Sequence, residues 1–430
     1  MLGLKEKLAQ QIPGLREDIR KLHREHGETV ISQVTVSQAF GGMRGVKGLV
    51  CDTSVVDPDQ GLAVRGIPIG DLADRLPEEV FYLLCTGELP DAEALASLQT
   101  ELRQRAHVPP YVWDVLEALP KDSHPMTMFS LAVLVMERDS VFRRRYAEGM
   151  PKEAHWEATL EDSLQLLAKL PAVAAGIYRL RSHRGAPLPS NPRLDWAADY
   201  AQMLGISDPS GEFANLIRLY LTLHCDHEGG NVSAFTCHTV GSALSDPYYA
   251  VSAGLNGLAG PLHGLANQEC LHFVLELRRK FNGVPSDEQL REYAWNTLRE
   301  GRVIPGYGHA VLRITDPRFT AFRKFGERAC AHDDFFRIVD RIFAVVPEVL
   351  REQGKAKDPW PNVDAISGAL LYHFGLTEFD YYTVLFGVSR ALGLCAQLIL
   401  NRALGTPITR PKSVSTEWIK ENVKAGQKAA

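Results

Sequence analysis

From Ile69 onward this chain repeats one structural signal almost without relief: apolar residues at three- and four-residue spacing, with no strand alternating between them. Ser210 to His224 shows it well, with Phe213, Leu216, Ile217, Tyr220, Leu221 and His224 on one face before a stop at Gly229-Gly230. A parallel sheet needs strands alternating with helices, so the expected fold class is all-α. His224 then reads as a core-facing histidine. Ser286 with Gln289, and Thr377 with Asp380, read as capping boxes, the second opening a long helix that ends at Gly405 and Pro407.

Strands are expected only near the N-terminus. VISQVTV (Val30 to Val36), LVCDTSVV and LAVRG read as short strands, with a turn at Pro58 to Gly61. Ahead of them Leu4, Leu8, Ile12, Leu15, Ile19 and Leu22 form a helical stripe that Pro13 interrupts, which predicts two short helices. At 430 residues the chain is long for a single core. A glycine-rich turn before Leu265 and the Gly375-Leu376-Thr377 break bracket a segment of domain size. Residues 265–374 are therefore expected to form a small helical domain inserted into a large one made of 1–264 and 375–430.

The net charge of −5 gives no electrostatic reason to expect nucleic acid or an acidic membrane as partner. Tyr381 to Leu404 is the most apolar long stretch, but Arg390, Gln397, Asn401 and Arg402 make it too polar to face lipid. Seven cysteines without a CxxC pair point to reduced thiols, with neither disulfides nor a metal site. The first residues mix acids and bases and resemble no targeting peptide, so a cytoplasmic protein is expected, with a mature mitochondrial matrix protein as the alternative.

Several catalytic signatures fail. His227-Glu228-Gly229-Gly230 leads to Asn231 where a zinc-protease helix needs a second histidine, GYGHAV lacks the third glycine of a dinucleotide fingerprint, and GVSRA lacks the last glycine of a nucleophile elbow. What remains is a concentration of His, Arg and Asp beside glycines. In GLNGLAGPLHGLANQE little regular structure is expected before Leu265, where a helix begins, and His263 sits at that helix's N-terminus. Free N–H groups and the positive dipole end would keep its ring neutral, as a cap or as an uncharged hydrogen-bond donor. DHEGGNVSA sets His227 in irregular backbone, either satisfied within its loop or free to bind.

RVIPGYGHAVLRITDPR places His309 after a glycine loop among Arg302, Arg313 and Arg318. Such arginines are solvated, or they join the loop's exposed N–H groups in holding a phosphate-bearing ligand. Arg44 and Lys47 in AFGGMRGVKG leave the same choice open. KAKDPWPNVDAISG carries Lys355, Lys357 and then Asp364 in the first turn of a helix, a dipole partner or a base that the dipole keeps ionised. Arg390 shares a helical stripe with Gln397 and Asn401, and a buried arginine there needs an anion, from a carboxylate or a ligand. TRPKS offers Arg410 in a loop after the last long helix.

With GGMRGVKGLV, DHEGGNVSA, NGLAGPLHGLANQE, VIPGYGHAVLR, TDPR, PWPNVDA and VLFGVSRALG quoted together, the chain resembles citrate synthase from about Leu4 to Lys412, most closely the eukaryotic-type dimeric members. The resemblance implies a homodimer whose two domains close over acetyl-CoA and oxaloacetate, with acetyl-CoA as substrate and no resident cofactor. It implies reactive groups at His263, His309 and Asp364. Oxaloacetate ligands fall at His227, Arg318 and Arg390, with Arg410 reaching in from the other subunit. Coenzyme A contacts fall at Arg44, Val303, Pro305, Gly306, Gly308, Arg313, Lys355 and Lys357. A 2-methylcitrate synthase using propionyl-CoA, or a silent structural relative, stands as the alternative.

Overall fold

The computed structural model describes residues 3–309 and 311–428, and nearly all of its regular structure is helical. Its axis is the helix Tyr382–Leu404, buried on almost every side and packed against His155–Arg181, Pro77–Thr86, Val232–Ser242 and Pro247–Leu258. A helix apolar all round must be enclosed, and this one is long and apolar enough to cross a bilayer while lying 89% buried within the protein. Gly405, at φ 68°, ends it in the left-handed conformation. Halfway along, Gly393 meets the 224–231 loop so closely that a Cβ would lie 2.5 Å from the Cys225 carbonyl and from Asp226 Oδ1. Bare backbone there lets the loop settle beside Arg390.

The helices Ala266–Phe281, Asp287–Arg299, Pro317–Ala329, Asp334–Gln353 and Asp364–His373 pack chiefly on one another. Three short antiparallel strands, Ser54–Asp57, Gly61–Val64 and Ile67–Pro68, pair Ser54 with Val64 and Val64 with Ile67. The Ser286–Gln289 capping box forms as expected.

Four local expectations are corrected. Leu4–His26 is one helix running through Pro13. An interior proline costs about 3 kcal/mol, whereas burying Leu4, Leu8 and Ile12 returns roughly 2 kcal/mol each, so packing wins. Residues 30–35 form no strand, because Val30, Ile31 and Val34 stand exposed with no neighbouring strand among the described residues; the Thr35–Gln38 capping box instead starts a short helix, Val36–Phe40. Gly254 and Gly257 are helical, within Pro247–Leu258, and a Cβ at Gly254 would come 2.9 Å from the Ser233 carbonyl. They are glycines for close helix packing. Thr377 caps nothing: Tyr381 and Tyr382 are anchored first, by Tyr200 Oη at 2.6 Å and the Leu376 carbonyl at 2.5 Å, and the helix starts at Tyr382.

Candidate active site

Three pieces of irregular backbone converge on Arg390. The first is the 224–231 loop. Asn231 caps the helix Val232–Ser242, accepting the Ala234 amide at 3.1 Å, while its Nδ2 donates to the carbonyls of His227 (2.8 Å) and Glu228 (3.0 Å). Its Oδ1 also accepts from Ser233 Oγ at 2.8 Å and Arg390 Nη1 at 3.3 Å. One amide thus fixes the histidine loop, the helix start and the arginine together.

The second piece is the turn holding His263. The helix that follows begins only at Ala266, so His263 does not sit in its first turn. The ring instead faces the N-terminus of helix 232–242, where Nε2 lies 3.3 Å from the Ser233 amide and 3.0 Å from Ser233 Oγ. An amide can only donate, so Nε2 accepts and the ring proton belongs on Nδ1. Burial, then the Arg390 charge, pulls its pKa down to about 4. The neutral ring is as expected, but burial and the arginine provide it, not a place in the helix that follows.

The third piece pairs the glycine loop with the segment before Asp364. Gly308 donates to the Trp360 carbonyl at 3.0 Å, Asn362 donates to the Gly306 carbonyl at 2.9 Å, and Asn362 Oδ1 accepts the Asp364 amide at 3.0 Å. Gly306 has φ 78°, and a Cβ there would lie 2.8 Å from Ala365 Cα. The loop carrying His309 is therefore stitched to the start of helix 364–373. His309 Nδ1 accepts from the amides of Val311 (3.0 Å) and Leu312 (2.9 Å), which leaves the proton on Nε2. Its ring centre lies 5.8 Å from that of His227. Burial and then Arg318 lower the pKa of both histidines, so both rings are neutral donors.

The dipole argument for Asp364 is corrected. Burial pushes its pKa up to about 6, against the opposing pull of Arg318 and Arg390. It is a base poised near neutrality. Arg390 acts electrostatically on both Asp364 and His263, which puts all three in one neighbourhood.

Arg390, 2% exposed, donates to the His224 carbonyl at 3.1 Å and lies 4.8 Å over Phe386. Among the described residues no carboxylate forms a direct ion pair with it, and burial lowers its pKa to about 10 against the opposing charge of buried Asp226. Arg318 is different: Asp316 caps its helix and grips its guanidinium at 2.7 and 3.0 Å. Burial alone would raise the Asp316 carboxyl, but Arg318 outweighs this and holds it low. Sequence reasoning missed Asp316 and Asn231, although Asp-Pro-Arg and Asn before an apolar run are both helix-start signals.

Other expected residues are not drawn in. Arg410 is exposed beside Thr409, which bonds His238 and Ser242, positions about 8 and 14 Å along helix 232–242 from the end that faces His263. Arg44 stands exposed on the N-terminal arm. Arg313 turns back onto the carbonyls of Val311 and Leu312. Val303, Lys355 and Lys357 are exposed near the Pro305–Gly308 loop, the lysines just ahead of the segment that pairs with it.

The profile described as citrate synthase, C-terminal domain, matches residues 42–412. The mitochondrial citrate synthase of Saccharomyces cerevisiae is 50% identical, the match covering 98% of this chain and 90% of that protein. The mitochondrial citrate synthase of Xiphias gladius is also 50% identical, over 97% and 91%. The crystal structure of citrate synthase from Pyrobaculum aerophilum superposes with a TM-score of 0.78 at 27% identity, covering 90% of this chain and 95% of that one. That from Thermoplasma acidophilum, a ternary complex with carboxymethyl coenzyme A and oxaloacetate, shares the fold with a TM-score of 0.74 at 23% identity, over 89% and 97%. Both 50%-identical relatives are mitochondrial by name, which overturns the cytoplasmic expectation. That expectation leaned on the first residues of the chain, which carry no such information.

Proposed function

Because this chain belongs to the citrate synthase family, we propose that it condenses acetyl-CoA with oxaloacetate and water to give citrate and coenzyme A, in the site built around Arg390. The observation that carries the reading is a buried guanidinium in no direct ion pair, with buried Asp226 as its opposing charge at longer range, beside neutral imidazoles and a carboxyl of near-neutral pKa. Arg390 supplies the anion site that oxaloacetate fills. The same kinship favours the mitochondrion as its place of work.

Asp364 removes a proton from the thioester methyl group while His263 donates its Nδ1–H to the thioester oxygen, where negative charge develops. A preorganised donor of this kind is worth roughly 3 to 4 kcal/mol, because it spares the enolate any solvent reorganisation. His309 donates Nε2–H to the oxaloacetate ketone, polarising the carbon that the enolate attacks. The new carbon–carbon bond makes citryl-CoA, and water then cleaves its thioester. The steps use side chains alone.

Arg390 and His227 hold one end of oxaloacetate. Arg318 shares its charge between Asp316 and the ligand. Arg410 of the partner subunit completes the grip in a homodimer. Coenzyme A lies along Pro305, Gly306 and Gly308, flanked by Val303, Arg313, Lys355, Lys357 and Arg44. Residues 265–374 act as a small domain closed onto 1–264 and 375–430, which holds Asp364 and His309 against His227 and Arg390.

Thiol release from acetyl-CoA, with and without oxaloacetate, tests the reading. Oxaloacetate-dependent release is expected. No release would refute it, and faster turnover of propionyl-CoA would move the assignment to 2-methylcitrate synthesis.

A further inference from the structure

A cavity of about 680 Å³ opens on a face of helix 317–329 that none of the candidate active-site residues lines. Pro317, Thr320, Ala321, Lys324, Phe325 and Arg328 fall at helical spacing and form one wall. The turn at 70–76 and the helix Glu212–Leu223 form the other. Four cations line the cavity, Arg75, Arg218, Lys324 and Arg328, against two carboxylates, Asp71 and Asp74.

The guanidiniums are already oriented by acids that do not line the cavity. Asp195 accepts from Arg218 at 2.7 and 3.0 Å, Glu212 from Arg328 at 2.6 and 3.0 Å, and Glu79 from Arg75 at 3.1 Å. Each guanidinium has five N–H donors, so donors remain on each. Lys324 is exposed and, among the described residues, has neither an ion pair nor a hydrogen bond. Between the charges, Leu219, Ala321 and Phe325 give an apolar floor.

A water takes about 30 Å³ of liquid volume, so a bare inorganic anion leaves most of this space unfilled. The volume falls within the range of about 300 to 1,000 Å³ of small-molecule sites. We propose that the cavity binds a phosphorylated small molecule, its phosphate on Lys324, Arg328 and Arg218 and its organic part against Leu219, Ala321 and Phe325. A lysine point charge beside two forked guanidiniums suits tetrahedral phosphate oxygens. The helix that forms this wall also carries Arg318, so an occupant bears on the presentation of oxaloacetate. That consequence rests on the proposed function; the binding does not.

The test is calorimetric titration of the full chain with phenyl phosphate, alongside inorganic phosphate. Wild type is expected to bind phenyl phosphate at least about tenfold more tightly than inorganic phosphate, which lacks the organic part. Lys324→Glu should weaken binding by at least about tenfold while retaining acetyl-CoA turnover, which reports that the fold is intact. Lys324→Gln should weaken it in the same direction by less. Arg390→Ala should leave it unchanged. No binding to wild type at millimolar concentration, equal binding to Lys324→Glu, or loss of binding in Arg390→Ala would overturn the proposal, the last by putting the ligand in the active site.

Discussion

Replacing Asp364 by Asn should make the protein more stable and nearly inactive, with a gain in stability that depends on pH. The native carboxyl has its pKa raised from 3.8 to about 6, chiefly by burial. A raised pKa in a folded acid means that the native state binds the proton more tightly than the unfolded chain does. Its ionisation therefore destabilises the fold: the penalty is absent well below pH 3.8, grows as pH rises, and is complete above about 6. Two units at about 1.4 kcal/mol each give roughly 3 kcal/mol, an upper bound because the mostly buried residue keeps some contact with solvent, which screens it. Asparagine carries no such penalty.

Denaturant unfolding of both proteins at pH 8 and pH 5 measures the difference. The Asn variant should be more stable by about 1 to 3 kcal/mol at pH 8, and by about half as much at pH 5. Its turnover should fall by about 100-fold or more for loss of the base. Wild-type kcat/KM should rise with pH through an apparent pKa near 6, with no second loss from His263, which protonates only near 4. An Asn variant less stable than wild type at pH 8, or a gap that does not shrink at pH 5, would refute burial as the source of the shift.

Truncating His263 to Ala should lower turnover by about 100- to 1,000-fold while oxaloacetate binding stays within about twofold, and binding lost in step would contradict its role. Arg390→Met should raise the KM for oxaloacetate by about 10- to 100-fold and also lower the melting temperature, because the His224 carbonyl, Asn231 and buried Asp226 all lose the guanidinium. Unchanged KM would refute the anion site. Gly306→Ala should cost about 2 to 3 kcal/mol, since the new methyl would meet Ala365 and Cys270 at a positive φ; a melting temperature equal to wild type would sink that reading. Arg410→Ala should be inactive alone yet regain turnover in mixed dimers with Asp364→Ala, and failure to complement would argue against a shared site.

The sequence by itself determined the class of fold, because helical spacing of apolar residues is local and survives averaging over neighbours. It also marked the residues worth watching, since histidines, arginines and an aspartate beside glycines are visible as letters. Its errors came where distant contacts decide. Pro13 stays helical because Leu4, Leu8 and Ile12 are buried, residues 30–35 form no strand because none of the described residues pairs with them as one, and Tyr382 rather than Thr377 starts the axial helix. Only the tertiary structure decided the chemistry of the site. His263 is neutral because it is buried and faces Arg390, Asp364 is a weak acid because burial outweighs two guanidiniums, and Arg318 holds a carboxylate in a direct ion pair while Arg390 does not. A proton's affinity depends on every charge and dipole around it, and those neighbours include residues as far apart in the chain as His263 and Arg390.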